Sequence, residues 1–334
     1  MVRARTLFLV SCLAFPLGSA GCATVVEVKG VVTRAFPSTW FGGTAPSRPS
    51  EDPALAATPS RGAVAEGLPA NVQRGAPQPT AVALVVGIEK YRELSSPSGA
   101  RSDAQRMGHV FGNTFGIPEV NVRVITDDRA TKSDIEKSLD WATAVVKPGG
   151  RIYFYFSGHG APDPTTGTPY LVPYDGDPAY LDRTSVKLEA VSAALAASPA
   201  REVLLVADAC FSGQGERSVL AKGARPIVLA KRSTEKTPSK VAVLSASGAA
   251  ETSGPSPSGN GGLFTEMFVE GLATGRADAD GDGQISLTEL TEYVAPRVAR
   301  SAKRDGREQH PQVNVGGNLA ADTFMLAWGL GAPR

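Results

Sequence analysis

One histidine and one cysteine stand out in this chain because each follows an apolar run at a turn rich in small residues. His159 follows the run at 151–156, and Cys210 follows the run at 202–207. We expect both runs to be strands of one sheet, so the two side chains would reach the same edge. A thiol is a weak nucleophile until it loses its proton, which a neighbouring imidazole can take and later return to a leaving amine. The pair therefore predicts acyl transfer, with Cys210 attacking and His159 as acid and base.

The N-terminus has the pattern of a secretory signal peptide over residues 1–21. Arg3 and Arg5 precede a short apolar run at 6–17, and small residues lead to Cys22. The residues before Cys22 resemble a bacterial lipobox, with Ser19 where leucine is usual, so we expect Cys22 to be lipidated. Ala23 rather than aspartate follows, which by resemblance to lipoprotein sorting favours the outer membrane. An ordinary signal peptide is the alternative.

These assignments leave Cys210 as the one thiol without another explanation. Cys12 lies inside the predicted signal peptide, and Cys22 would carry the lipid. A lone thiol in an exported protein calls for a reason, and nucleophilic catalysis supplies one. We expect an exported cell-envelope lipoprotein, facing the periplasm and touching the membrane through its lipid.

Composition separates a tether from a folded domain. Residues 22–79 are rich in Pro, Ala, Ser and Gly with little periodicity, which predicts a linker, and we place the domain at 80–330. The net charge of +1 offers no bulk attraction for nucleic acid. No run after the signal is long and apolar enough to span a membrane.

Apolar runs and helical patterns alternate through the domain. Continuous apolar runs indicate strands buried on both faces, and their alternation with helices predicts an α/β fold with a mainly parallel sheet sandwiched by helices. The predicted strands are 81–88, 120–126, 151–156, 202–207 and 240–245, and the predicted helices are 101–115, 131–149, 186–197, 263–272 and 287–300.

Several sequence blocks resemble the caspase-like peptidases, most closely the metacaspase and bacterial orthocaspase branch. They are ALVVGI at 83–88, SDA at 102–104, YFYFSGHG at 153–160, DACFSG at 208–213 and LFT at 263–265. The histidine precedes the cysteine by about 50 positions, as in caspases, whereas papain-like enzymes place the cysteine first. The resemblance implies a caspase–haemoglobinase fold, a Cys/His dyad and protein or peptide substrates, with no cofactor for catalysis.

The neighbours of the dyad suggest how a substrate would be held. Backbone N–H groups of Gly160 and Cys210 are candidate oxyanion donors. Asp208 stands two positions before the cysteine, where caspases have glutamine, and an aspartate there is similar to metacaspases and implies a pocket for Arg or Lys at P1, the residue before the cut. Asp103 is a candidate second pocket acid, although an ordinary aspartate at a helix N-terminus explains it equally well.

The segment between Gly213 and Lys240 is basic and has no regular periodicity. An enzyme specific for Arg or Lys could cut itself here, and a solvated loop is the alternative. Its basic residues are Arg217, Lys222, Arg225, Lys231, Arg232 and Lys236.

Residues 278–289 match the twelve-residue EF-hand calcium loop. Asp278, Asp280 and Asp282 occupy positions 1, 3 and 5, Gln284 offers its carbonyl at position 7, and Glu289 can bind in a bidentate manner at position 12. Three clustered carboxylates repel one another without a cation, so we expect Ca²⁺ to bind.

Together these features predict a cysteine endopeptidase that cleaves after Arg or Lys. It could process itself and depend on calcium. A catalytically inactive caspase-like module, binding calcium and partners at the cell envelope, remains the alternative, since the sequence alone does not show that the dyad is assembled.

Overall fold

The computed structural model describes residues 68–212, 217–219, 237–248, 251–259, 261–317, 319–322 and 324–328. The predicted signal peptide 1–21, the candidate lipidation residue Cys22 and the predicted linker up to residue 67 lie outside the described residues. So do five basic residues of the segment after Cys210, namely Lys222, Arg225, Lys231, Arg232 and Lys236.

A six-stranded sheet forms the centre of the domain. Its spatial order is β10-β8-β7-β3-β1-β2, in which every neighbouring pair is parallel except β10 with β8. The strands are β1 (Val82–Gly87), β2 (Val122–Thr126), β3 (Arg151–Ser157), β7 (Glu202–Asp208), β8 (Val241–Ser245) and β10 (Gln312–Val315). The predicted α/β class with a mainly parallel sheet is therefore confirmed.

Helices cover both faces of this sheet because its central strands are apolar at successive positions. In β3, Tyr153 and Tyr155 face one core cluster, while Phe154 and Phe156 face the other. Each cluster stacks strand side chains against helices, which removes apolar surface from water on both sides. The helices are α1 (Ala100–Asn113), α2 (Lys132–Val145), α3 (Leu181–Thr184), α4 (Leu188–Ala197), α5 (Leu263–Ala273) and α6 (Leu287–Arg304).

Two smaller antiparallel sheets flank the domain core, and the sequence patterns did not predict them. One consists of β4 (Gly160–Pro162), β5 (Pro169–Leu171) and β6 (Val186–Lys187), and the other of β9 (Gln284–Ser286) and β11 (Met325–Trp328). The predicted helix 186–197 thus begins two residues late, because Val186 and Lys187 pair with β5. Strands of two to four residues carry too little periodicity to identify in advance.

Part of the segment placed in the linker packs against the domain. Leu68 and Val72 lie against the core cluster that includes Tyr153, and Gln78 accepts a hydrogen bond from the Tyr153 hydroxyl at 3.0 Å. Residues 68–79, which precede the predicted domain boundary, therefore include positions that pack against the domain. Among the described helices, none combines the length and apolar character that a membrane span requires.

Candidate active site

The two candidate catalytic residues follow adjacent strands of the central sheet. Strands β3 and β7 pair in parallel up to Ser157 opposite Asp208, and His159 and Cys210 each lie two positions further on. Parallel strands deliver their carboxyl ends to one edge, so the register places both turns side by side. The structure brings together the two segments that the sequence singled out.

The imidazole of His159 is held by groups from an earlier loop. Its Nε2 lies 2.6 Å from the carbonyl oxygen of Ser95, which fixes Nε2 as the protonated nitrogen of the neutral ring. Tyr91 stacks on the imidazole with ring centroids 4.7 Å apart, and its hydroxyl accepts a hydrogen bond from the His159 backbone N–H at 2.7 Å. These contacts set the tautomer and the plane of the ring.

The other ring nitrogen of His159 is buried, and within the described part of the chain Nδ1 has no hydrogen-bond partner. Burial lowers the pKa of the imidazole, and the Arg217 guanidinium lowers it further, while the backbone of Ser95 and that of Arg217 act in the opposite direction. The ring is therefore neutral at pH 7, with Nδ1 free to accept a proton.

The thiol of Cys210 is fully buried and is held by the backbone of Ser253. The N–H of Ser253 donates to Sγ at 2.7 Å, and the thiol lies 3.4 Å from the Ser253 carbonyl. Burial raises the pKa of this thiol to about 11, and the nearby Asp208 carboxylate raises it as well. Cys210 is accordingly a neutral thiol in this conformation, so nucleophilic attack needs a base.

The candidate oxyanion donors converge on one carbonyl of the chain itself. The N–H of Gly160 donates to the Arg217 carbonyl at 2.9 Å, and the N–H of Cys210 donates to it at 3.1 Å. A side chain at Gly160 would collide with the Cys210 carbonyl and the Phe211 ring, so only glycine allows this close approach. Two N–H groups on one carbonyl oxygen form the geometry that stabilises a developing oxyanion.

The two candidate pocket acids, Asp103 and Asp208, are fully buried and share a polar network. Asp208 accepts hydrogen bonds from the hydroxyls of Ser253 at 2.8 Å and Thr265 at 2.6 Å. Asp103 accepts from the Ser157 hydroxyl at 3.0 Å. Asp103 does lie in the first turn of α1, yet its side chain points at the same network as Asp208.

The side chain of Arg217 fills the space between these acids. Its Nη2 lies 3.0 Å from Oδ2 of Asp103, and its Nη1 lies 3.4 Å from Oδ1 of Asp208. Nη1 also donates to the Ser157 hydroxyl at 2.7 Å, and Nη2 donates to the Ser98 carbonyl at 3.2 Å. Only 2% of Arg217 is exposed, so the guanidinium is fully enclosed by acceptors.

The charges in this pocket balance. Burial by itself would lower the pKa of the Arg217 guanidinium, but the Asp208 and Asp103 carboxylates raise it above its ordinary value. A second guanidinium, that of Arg106, donates to Asp103 at 2.6 Å. Burial raises the pKa of Asp103, and Arg217 is the largest opposing influence. Without Arg217 the pocket would hold two acids and one cation, which favours an incoming cation and repels an acidic side chain.

Glycines let a later loop close over the acids. The N–H of Gly262 donates to Oδ2 of Asp103 at 3.0 Å, and a Cβ at Gly262 would lie 2.2 Å from the Asp208 carboxylate. Gly261, at φ +129°, leaves even less room beside Asp103. Any larger residue here would displace the carboxylates that hold the guanidinium.

Sequence reasoning did not find several residues of this site. The sequence shows Arg217 as one of several basic residues after Gly213, and nothing in its local sequence places it in the pocket. Tyr91, Ser95 and Ser253 contact the dyad through a ring, a hydroxyl or backbone groups, which leave no spacing pattern. Thr265 belongs to the LFT block, but that block does not indicate its hydrogen bond to Asp208. Only the packing of distant loops reveals them.

The predicted calcium loop forms a compact acidic turn. Carboxylate oxygens of Asp278, Asp280 and Asp282 lie within 4.8 Å of one another. Backbone N–H groups hold these carboxylates in place, for example Gly283 to Asp278 at 2.9 Å. The second Asp278 oxygen accepts from Gly281 at 2.8 Å. Oxygen donors in this arrangement fit a hard cation such as Ca²⁺.

The other two predicted ligands lie in the second half of the loop, at positions 7 and 12. Gln284 begins β9, and Glu289 is in the first turn of α6, where its carboxylate accepts from the N–H groups of Ala279 and Ser286. Ile285 pairs with Ala327 of β11. A strand of the same chain therefore supports this loop.

Comparisons with known proteins agree with this architecture. The family profile described as Caspase domain (peptidase C14) matches residues 80–318. Metacaspase-1A of Aspergillus oryzae is 29% identical over 29% of this chain and 27% of its own length. Metacaspase-1A of Aspergillus niger is 27% identical over 25% of this chain and 22% of its own length. The chain thus spans about a quarter of the length of these curated relatives.

A solved structure shares the fold. The protein GSU0716 from Geobacter sulfurreducens superposes with a TM-score of 0.55 at 16% identity, covering 75% of this chain and 99% of that one. At this identity the likeness concerns the fold alone.

Proposed function

Since this chain belongs to the caspase-domain family of cysteine peptidases, we propose that it is an endopeptidase that cleaves after Arg or Lys. One observation carries the proposal: Arg217 places its guanidinium on Asp103 and Asp208 while its carbonyl accepts from Gly160 and Cys210. This is the arrangement expected of a bound P1 arginine, with its side chain on the acids and its carbonyl on the candidate oxyanion donors. The proposed preference for Arg or Lys at P1 is therefore inferred from Arg217, a residue of this chain that occupies the pocket itself.

The geometry supports a two-step acyl transfer. His159 takes the thiol proton at Nδ1, and the Cys210 sulfur attacks the carbonyl carbon of the P1 residue. The N–H groups of Gly160 and Cys210 hold the oxyanion. His159 then gives its proton to the leaving amine, and a thioester between Cys210 and the P1 carbonyl remains. Water, deprotonated by His159, hydrolyses the thioester and restores the thiol.

We further propose that the first bond cut is the one between Arg217 and Ser218. Its carbonyl already accepts from both oxyanion donors, and the side chain of Arg217 is enclosed by the pocket. In this closed state the thiol is buried with a pKa of about 11, so an external substrate has no access. Displacement of residues 217–219 from the pocket would admit both water and substrate.

A peptide assay tests the activity. Peptides with Arg, Lys or Asp at P1 are incubated with wild type and Cys210→Ala, with and without calcium. We expect cleavage after Arg and Lys by wild type only, together with an intact mass showing a cut after residue 217. Cleavage after Asp alone would overturn the basic-pocket proposal. No cleavage of any peptide, with the chain intact, would favour the inactive binding module.

Calcium binding at residues 278–289 is a second part of the proposal. Calorimetry with CaCl₂ should show one site in wild type, and Asp280→Ala should remove it, because one carboxylate of the cluster is lost. Glu119→Ala, which changes an exposed acid outside the loop, is the matched control. Equal heats for Asp280→Ala and wild type would contradict the assignment. Activity measured with and without calcium then separates a structural ion from a regulatory one.

We also propose that the protein is anchored by a lipid on Cys22 at the cell envelope. The support is the sequence of residues 1–22. Expression in a Gram-negative host with labelled palmitate should label wild type but not Cys22→Ser. An unlabelled, exported wild-type chain would indicate an ordinary signal peptide instead.

A further inference from the structure

The described residues beyond the Arg217 carbonyl follow the edge of the active site. Ser218 forms a parallel β-bridge with Gly160, and the N–H of Val219 donates to the Gly160 carbonyl at 3.0 Å. If Arg217 marks P1, then Ser218 and Val219 stand at P1′ and P2′, the first two positions after the cut. Gly160 therefore contacts the chain on both sides of the bond, as N–H donor to P1 and as carbonyl acceptor to P2′.

The side chains on this side of the bond also have defined surroundings. Ser218 Oγ lies 3.4 Å from the Gly160 carbonyl. Val219 is partly buried and packs against the core cluster that contains Ala161 and Leu171. An apolar P2′ side chain thus covers apolar surface that water would otherwise reach.

We propose that this enzyme recognises its substrates by the residues that follow the cut. It selects an apolar residue with a free backbone N–H at P2′. The inference rests on the proposed function and deepens it, because it defines the substrate class as peptides with a basic P1 and an aliphatic P2′. Short parallel pairing to Gly160 supplies the backbone contact, and the core cluster against which Val219 packs supplies the side-chain contact.

The hydrogen bond to the Gly160 carbonyl requires a backbone N–H at P2′. Proline at P2′ has no N–H and would leave the Gly160 carbonyl without its donor. An ester in place of the P1′–P2′ amide removes the same N–H while keeping the side chain. A hydrogen bond of this kind is worth about 0.5–1.5 kcal/mol, which corresponds to a loss of roughly two- to tenfold in kcat/KM.

Internally quenched peptides of one parent sequence test this directly. The parent contains Arg-Ser-Val across the cut, and its variants carry proline at P2′, aspartate at P2′, an ester at the P1′–P2′ link, or an ester at the P2′–P3′ link as control. The enzymes are full-length wild type and Arg217→Gln, which leaves the pocket open. Mass spectrometry verifies that each peptide is cut after the arginine.

We expect kcat/KM to fall for the P2′ proline, P2′ aspartate and P1′–P2′ ester peptides, while the P2′–P3′ ester matches the parent. Equal cleavage of all five peptides would overturn the primed-side inference and leave the proposed peptidase activity standing. Failure to cleave any of them after arginine would overturn the proposed function and this inference with it.

Discussion

Arg217 reaches Asp103 across 3.0 Å although 114 positions separate the two residues in the chain. The contact joins the segment after the nucleophile to the first turn of α1. It closes a pocket whose other acid, Asp208, ends the strand that delivers Cys210. Arg217 therefore indicates which side chain the pocket binds, and by occupying the pocket it excludes other ligands.

Replacing Arg217 by glutamine should open the pocket. A ligand tethered seven residues from Cys210 competes at an effective concentration in the millimolar range, so its removal should raise kcat/KM for a short Arg peptide about tenfold or more. The cut after residue 217 should disappear at the same time. Peptide kinetics and intact mass check both effects.

Arg74→Gln is the matched control for this change, because Arg74 is an exposed arginine on the N-terminal segment. It should keep wild-type kinetics and self-processing. Unchanged or lower peptide cleavage by a folded Arg217→Gln protein would contradict the closed-pocket interpretation.

Asp208→Asn should weaken selection for basic substrates. The substitution keeps the shape of the side chain but removes one of two buried charges facing the guanidinium. Removing one partner of a buried charged pair costs about 2–5 kcal/mol, so kcat/KM for Arg peptides should fall by roughly 10²-fold. Asp103→Asn should act in the same direction.

The effect of Asp208→Asn on kcat/KM should differ between substrates with a charged and an uncharged P1 residue. A peptide with P1 glutamine, measured beside P1 arginine, should lose much less in the variant. An equal loss for both peptides would mean that the variant damages the dyad rather than the pocket.

The reactivity of Cys210 should depend on whether Arg217 is seated. Burial raises the pKa of the thiol to about 11, so in the closed state the reactive thiolate is the minor form at pH 8 and grows as the pH rises toward 11. Iodoacetamide labelling of Cys210 from pH 7 to 10.5, followed by peptide mass spectrometry, measures this profile. The protein carries Ser218→Pro, which prevents self-processing, and it keeps Cys210.

In Arg217→Gln the same profile should shift to lower pH, because water reaches the thiol and the desolvation cost declines. Labelling at pH 8 should therefore be faster in that variant, because a larger fraction of the thiol is ionised there. Identical profiles in the two proteins would show that Arg217 does not control access to the nucleophile.

Tyr91→Phe should reduce kcat more than it changes KM. The hydroxyl that accepts from the His159 N–H and donates to the Val172 carbonyl at 3.2 Å is lost, while the ring that stacks on the imidazole stays. Tyr91 lies beside the imidazole and outside the pocket acids, so it acts by positioning His159. We expect kcat to fall about tenfold for a loosely held base.

Tyr180→Phe serves as the control, since Tyr180 is 58% exposed. Both variants should unfold at temperatures within a few degrees of wild type, since a single hydroxyl bond contributes about 1 kcal/mol. A rise in KM with an unchanged kcat would indicate that Tyr91 shapes the substrate pocket instead.

Much of the fold follows from the sequence because its signals are local. Apolar runs at 151–156 and 202–207 predict buried strands, and their register then fixes where His159 and Cys210 must emerge. The order of strands in the sheet does not follow from such local signals. β10 is a polar, half-exposed edge strand, and its antiparallel pairing depends on β8 rather than on its own residues.

Local patterns in the sequence were enough to predict the class of the fold, the sheet edge that bears the histidine and the cysteine, and Asp208 as an acid beside them. These features depend on periodicity and on neighbours in the chain. The packing of distant loops was needed to show that Arg217 fills the pocket, that Ser253 holds the thiol and that the Ser95 carbonyl orients the imidazole. Each of these contacts joins loops far apart in sequence, and burial gives them their strength, because removal from water makes an unpaired charge or a misplaced proton costly.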